Sequence, residues 1–272
     1  MQLLYNNHLL HESELRLPLS NRAFQFNDGF FETIIIRRGS LCFWQDHLLR
    51  MQEAAAALHL ALPPYFTLTS FEEKLLKLAA KQQATAYARL KLKVWRSGGG
   101  LYTPETNQVE WLATAQQATP PSALPLQVGL CRQVRTQYSP LSHFKGPNAP
   151  MYVLAAMEKD KRNLDDLVLL DLQNKVSELT SSNILWVREN RVFTPALSTG
   201  CINGVLRRNI VRWCQQHKVE VAEVLGDIDQ LYHSDGVFSA NVTGIKRIAA
   251  IEEVSVSTRH PLVEQLARDL SV

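Results

Sequence analysis

The spacing of hydrophobic and polar positions changes several times along the chain, and each change marks an element. "QLLYNN" and "HLL" open as short strand-like pieces, followed by "FFETIIIRR" and "LCFW". The β-branched run Ile34 to Ile36 favours a strand, and "RGS" at 38–40 supplies a hairpin turn. In "DHLLRMQEAAAALHLAL", Leu48, Met51, Ala55 and Leu58 recur at helical spacing, with Asp46 available as the cap. "TSFEEKLLKLAAKQQ" predicts a second helix, capped from Thr69 to Glu72 or from Ser70 to Glu73. "YARLKLKVWR" alternates apolar and basic residues, as a half-exposed strand does, and "NQVEWLATAQ" reads as its antiparallel partner.

The pattern then breaks. Residues 116–125, "QQATPPSALP", are polar and Pro-rich, which places a domain junction there. The expected organisation is an N-terminal domain over 1–118, a linker at 119–125 and a C-terminal domain over 126–272. Beyond the linker come the strand "LQVGLCRQVR", an irregular loop, and a helix from about Tyr152 to Arg162. "DDLVLLD" is nearly all apolar and reads as a buried strand. Further short strands follow, with helices near 204–217 and 260–270. Both halves therefore read as mixed α+β.

Composition narrows the function classes. With 46% hydrophobic and 20% charged residues over 272 positions, the chain is an ordinary globular protein with a substantial core. A net charge of +3 with scattered Lys and Arg gives no basic run for a nucleic-acid partner. Cys42, Cys131, Cys201 and Cys214 are far apart and form no CxxC pair, so they read as reduced, buried thiols and not as a metal site. No apolar run approaches membrane-spanning length and no leader pattern is present. The expectation is a cytoplasmic, soluble protein.

Four stretches carry residues with chemical potential. In "HFKGPNAP", Gly146, Pro147 and Pro150 forbid regular structure around Lys145. A loop lysine is most often a solvated charge, and a reactive one needs a desolvated setting. In "VSELTSSNILWV", Glu178 ends a strand before the hydroxyl-rich turn of Thr180, Ser181, Ser182 and Asn183, which alone is a self-bonding polar turn. "TGCINGVLRRNIVRWC" places Gly200, Asn203 and Gly204 before a helix, either an anion cradle of backbone amides or a plain junction. His47 and Arg50 share a helix face, aimed at a phosphate or at solvent. Taken together, a lysine, a distant glutamate and an anion cradle match the needs of pyridoxal phosphate.

The same stretches resemble the class IV aminotransferases, the fold-type IV branch of pyridoxal phosphate enzymes. "NRAFQFNDGFFETI", "DHLLRM", "LVLLDLQNKVSELTSSNILWV" and "TPALSTGCINGVLRR" are similar to the family's blocks, in its order and over almost the whole chain. The resemblance implies two mixed α/β domains with the cofactor between them. It implies Lys145 as the Schiff-base lysine, Glu178 as the partner of the pyridine nitrogen, and Arg50 on the phosphate. Gly204 and the amides of Val205 and Leu206 would join it there, with Ser182, Asn183, Asn241 and Val242 as further cofactor contacts. It also implies a homodimer acting on a small amino-acid-like substrate. Several relatives carry a tyrosine shortly after the lysine, on the cofactor's ring hydroxyl; here Tyr152 stands further along.

The choice of reaction rests on softer signs. "GFFETI" and "RSGGGLY" look like relatives that act as 4-amino-4-deoxychorismate lyase, whereas branched-chain transaminases usually have glycine where Thr33 stands. A second arginine common in the lyases' glycine-rich loop is absent. The lyase is the preferred expectation, an amino-acid transaminase (branched-chain or D-amino acid) the alternative, and a non-catalytic ligand-binding module the remote one. Phe24, Phe26, Phe31 and Tyr102 are candidates to line a substrate pocket, or to pack a core. Arg96 would meet a substrate carboxylate or stand as an exposed strand-end charge.

Overall fold

The β-branched run Ile34–Ile36 is fully buried in a nine-residue strand, and the first sheet is built around it. The computed structural model describes residues 1–270 and divides into two units. The first contains Met1–Pro120 together with Phe144–Pro147, and the second Pro121–His143 together with the chain from Asn148 onward.

The first unit comprises β1 (Gln2–Tyr5), β2 (His8–His11), α1 (Arg22–Phe26), β3 (Gly29–Arg37), β4 (Ser40–Leu41), α2 (Trp44–Ala57), α3 (Thr69–Lys81), β5 (Tyr87–Arg96) and β6 (Val109–Gln117). Its six-stranded sheet runs β2-β1-β6-β5-β3-β4, with every pairing antiparallel. β3 and β5 pair in unbroken register from Gly29 opposite Trp95 to Arg37 opposite Tyr87. Between β3 and β4, Arg38 and Gly39 have φ of 50° and 75°, as a two-residue primed turn requires. β5 alternates as its sequence predicts until Val94, after which Val94, Trp95 and Arg96 are all buried.

Both helix caps differ from the sequence expectation. α2 starts at Trp44 with Phe43 at its N-cap, which puts Asp46 inside the first turn. There its charge suits the positive helix end without capping it. α3 starts at Thr69 with Leu68 at the N-cap and no side-chain cap, so Thr69 and Ser70 stand inside the helix, past the cap position.

The second unit comprises β7 (Leu126–Leu130), α4 (Ala149–Lys161), β8 (Asp166–Leu170), β9 (Val176–Leu179), β10 (Asn183–Arg188), β11 (Arg191–Pro195), α5 (Val205–Gln216), β12 (Val221–Val224), α6 (Ile228–Tyr232), β13 (Gly236–Asn241), β14 (Gly244–Ile251), β15 (Val254–Ser255) and α7 (Pro261–Asp269). Its sheet runs β12-β11-β10-β13-β14-β7-β8-β9, with β15 on β14. α4 lies between the parallel neighbours β7 and β8, and β8 is buried at every position, as its apolar run predicts. Cys131, Cys201 and Cys214 are buried free thiols, whereas Cys42 is only partly buried.

Composition drew one boundary near the Pro-rich stretch and left Lys145 in the second domain. By packing, Phe144–Pro147 groups with the first unit. The Phe31 N–H donates to the Lys145 carbonyl at 2.9 Å, and Asn27 Nδ2 donates to the Gly146 carbonyl at 2.9 Å. Gly146 has no room for a side chain: a Cβ there would lie 2.5 Å from the Gly29 carbonyl oxygen.

Candidate active site

Lys145 is half-buried, and its backbone is fixed along β3 by the hydrogen bonds just described. Beneath β3 lies a buried cluster of three charged or titratable groups. Arg50 donates from Nε and Nη2 to Glu32 Oε1 and Oε2 at 2.8 and 2.6 Å, and His47 Nδ1 lies 2.6 Å from Oε2. Burial pushes the His47 imidazole below its ordinary range; Glu32 opposes this, while the charges of Arg50 and Lys145 push it lower again. The imidazole Nε2 is buried without a hydrogen-bond partner. The charge of Lys145 is thus felt in this buried cluster, although the lysine itself is only half-buried.

Glu178, at the end of β9, is buried. Tyr152 on α4 donates its hydroxyl to Glu178 Oε1 at 2.6 Å, and the Ile202 N–H donates to Oε2 at 3.1 Å. Burial first, and then the neighbouring carboxylate, push the Tyr152 phenol far above its usual range, so it remains a donor. Tyr152 is thus engaged by the glutamate, and its hydroxyl is occupied there.

The Ile202 loop ties Glu178 to the start of α5. Asn183 Nδ2 donates to the Ile202 carbonyl at 2.7 Å, and a Cβ on Gly204 would sit 2.0 Å from Asn183 Oδ1. Only glycine permits that approach. α5 begins without a side-chain cap, so the amides of Val205 and Leu206 lie in an uncapped first turn. Asn241 Nδ2 donates to the Ser181 carbonyl and to Ser182 Oγ at 3.2 and 2.9 Å. Its Oδ1 accepts from the Thr243 N–H and hydroxyl at 2.8 and 2.6 Å. The turns at 181–183, 202–205 and 241–243 therefore meet at one end of the second sheet, with Val242 buried among them. Here Asn183 and Asn241 brace the turns, so their side-chain amides are engaged in holding loops in place.

Two sequence expectations need correction. Arg96 is neither a free carboxylate receptor nor a surface charge. Its guanidinium is buried, with Nε on Asp28 Oδ2 at 2.9 Å, Nη1 on Asn107 Oδ1 and Nη2 on the Leu58 carbonyl at 2.6 Å. Phe24 is not core packing, being 74% exposed, and Tyr102 stands 92% exposed. Phe26 is stacked under Arg22 and lies 5.7 Å from Tyr102, ring centre to ring centre, while Phe31 is half-buried with Lys91 over its face. Arg50 faces Glu32 from two of its nitrogens, as described above.

Sequence reasoning missed Glu32, Arg22 and Asp28. Arg22 is buried, donates to Asp28 Oδ2 at 2.8 Å, and holds the glycine-rich loop through the carbonyls of Gly99, Gly100 and Leu101. A lone acid inside "FFETIII" was a signal for Glu32, because an unpaired carboxylate does not stay in an apolar strand. Nothing local marks Arg22, whose partners lie up to 79 positions away.

The residues present fit pyridoxal phosphate. A buried carboxylate is held by two donors, and a glycine-permitted uncapped helix start is braced beside it. Comparison with known proteins agrees. The family "Amino-transferase class IV" matches residues 29–251. An aminodeoxychorismate lyase of Vibrio harveyi is 29% identical over 248 residues, covering 88% of each chain. A D-alanine aminotransferase of Bacillus licheniformis is 24% identical, covering 89% of this chain and 85% of its own. The branched-chain aminotransferase of Thermobaculum terrenum, solved in its pyridoxal phosphate form, superposes with a TM-score of 0.85 at 18% identity, over 99% of this chain and 92% of that one. The chain belongs to the class IV aminotransferase family, and it is a pyridoxal phosphate enzyme with lyase or transaminase chemistry.

Proposed function

We propose that the protein is a 4-amino-4-deoxychorismate lyase, which eliminates pyruvate from its substrate and leaves 4-aminobenzoate, a folate precursor. The observation that carries this choice is the 29% identity to the Vibrio harveyi lyase, over 88% of each chain, against 24% for the Bacillus licheniformis D-alanine aminotransferase. Transamination remains the second reading, favoured by the same D-alanine aminotransferase relatives.

In this reading Lys145 would hold the cofactor aldehyde, and its amine would serve as the base at the amino-bearing carbon of the substrate. Bound pyridoxal phosphate supplies an electron-accepting ring. Glu178 would accept from the protonated ring nitrogen, and Tyr152 and the Ile202 amide keep that carboxylate in place. The amides of Val205 and Leu206 take the phosphate, where partial positive charge at a helix start favours an anion. Ser182, Asn183, Asn241 and Val242 shape the loops around it, and Arg50 is held by Glu32 on β3, the strand to which the Lys145 backbone is bonded.

We assign the protein two copies per assembly and a cytoplasmic location. Phe24, Leu101 and Tyr102, at 74%, 80% and 92% exposure, are apolar side chains of the first unit that association of two copies would cover. Among the described residues no helix is long and apolar enough to cross a membrane.

Aminodeoxychorismate supplied without any 2-oxo acid tests the reaction. Pyruvate release under those conditions is expected; amino transfer that strictly needs a 2-oxo acid would assign the transaminase instead. Light scattering at assay concentration, with a monomer mass, would overturn the two-copy assignment.

A further inference from the structure

We propose that Tyr152 is a positioning residue for Glu178: its hydroxyl fixes the carboxylate and keeps the negative charge from drawing the proton off the cofactor's ring nitrogen. The inference rests on Glu178 being the ring-nitrogen partner.

The geometry is specific. Tyr152 projects from α4 and Glu178 from β9, and the hydroxyl reaches Oε1 at 2.6 Å. Oε2 takes the Ile202 N–H at 3.1 Å. A donor on each oxygen opposes rotation of the carboxylate plane. A charge-assisted bond of this length is among the stronger hydrogen bonds. By sharing the negative charge it makes the carboxylate a weaker base, so a proton opposite it stays on the ring nitrogen.

Packing offers a simpler role for Tyr152, because it packs against the cluster formed by Cys131, Ala155, Leu167 and Leu169. Phenylalanine preserves that packing, so Tyr152→Phe removes the hydroxyl and little else.

The test uses holoenzyme carrying Tyr152→Phe, Glu178→Gln, or both. The first readout is the bound cofactor's absorbance against pH. The second is the pyridoxal phosphate dissociation constant of stripped protein, from tryptophan fluorescence. Tyr152→Phe is expected to weaken binding roughly 10-fold, the worth of one hydrogen bond to a charged group. Its pH profile should move toward that of Glu178→Gln, and the double variant should lose no more than Glu178→Gln alone. Fluorotyrosine at position 152, a stronger donor of the same shape, should move the profile the opposite way, which keeps the proposal testable if Tyr152→Phe folds poorly. A Tyr152→Phe protein with unchanged profile and affinity overturns the proposal, as does an equal penalty in the Glu178→Gln background. If Glu178→Gln itself changes neither readout, the reading of Glu178 fails first, and this inference with it.

Discussion

Arg50 grips both oxygens of Glu32, at 2.8 and 2.6 Å, where each residue is only 1% exposed. A buried pair is weak evidence of net stabilisation, but breaking one leaves the other charge stranded. Glu32→Ala should destabilise the first unit by about 3–5 kcal/mol, read from denaturant unfolding. A loss below about 1 kcal/mol would mean that water reaches Arg50 in the native state.

The same cluster sets an acid dependence. Burial alone would raise the Glu32 carboxyl, but the Arg50 charge, with His47 assisting, holds it down to about 2. The unfolded carboxyl therefore binds protons at a higher pH than the folded one, and this stability is lost as pH falls from about 4.5 toward 2. His47, whose pKa burial lowers, acts in the same direction: the unfolded imidazole gains its proton first as pH drops below 6.5. Melting temperature should decline from pH 6.5 downward and more steeply below 4.5, with the steep part reduced in Glu32→Gln. An identical slope in that variant would assign the acid sensitivity elsewhere.

Gly204→Ala places a methyl 2.0 Å from Asn183 Oδ1. Asn183 must then swing away, giving up its bond to the Ile202 carbonyl, and the loop that also donates to Glu178 loosens. Overpacking of this kind costs about 1–3 kcal/mol. Pyridoxal phosphate affinity should fall with it, measured by cofactor retention on dialysis. Asn183→Ala should restore part of the loss by removing the clashing oxygen.

Arg96→Gln should lower thermal stability and leave the KM for substrate unchanged. The guanidinium it removes bonds Asp28, Asn107 and the Leu58 carbonyl, all within the first unit. A rise in KM with no stability loss would return Arg96 to the substrate.

Borohydride should fix the cofactor covalently in the natural protein, at Lys145, and in no Lys145→Ala variant. Peptide mapping after reduction checks the position. Cofactor trapped on another lysine would undo the assignment.

Local pattern was enough for much of the fold. The alternation of β5, the β-branched core of β3, the Arg38–Gly39 turn and the continuous apolar run of β8 are consequences of side-chain period and backbone preference, which act over a few residues. The candidate lysine and glutamate were legible because glycine, proline and a hydroxyl-rich turn isolate them from regular structure. Caps were misread for a related reason: one residue of displacement at Phe43 or Leu68 changes which side chain meets the helix end.

What the chain pattern left open is whatever depends on meeting a distant residue. A glutamate in an apolar strand becomes half of an ion pair only when Arg50, 18 positions on, is packed behind it. Arg96 looks like a surface charge until Asp28, 68 positions back, and the Leu58 carbonyl absorb its donors. Tyr152 acquires its partner only when α4 is laid against β9, 26 positions later. Hydrophobic period is written in neighbouring residues, whereas the pairing of buried charges is settled by which elements the fold brings together, because a buried ion must find its counter-charge wherever packing supplies one.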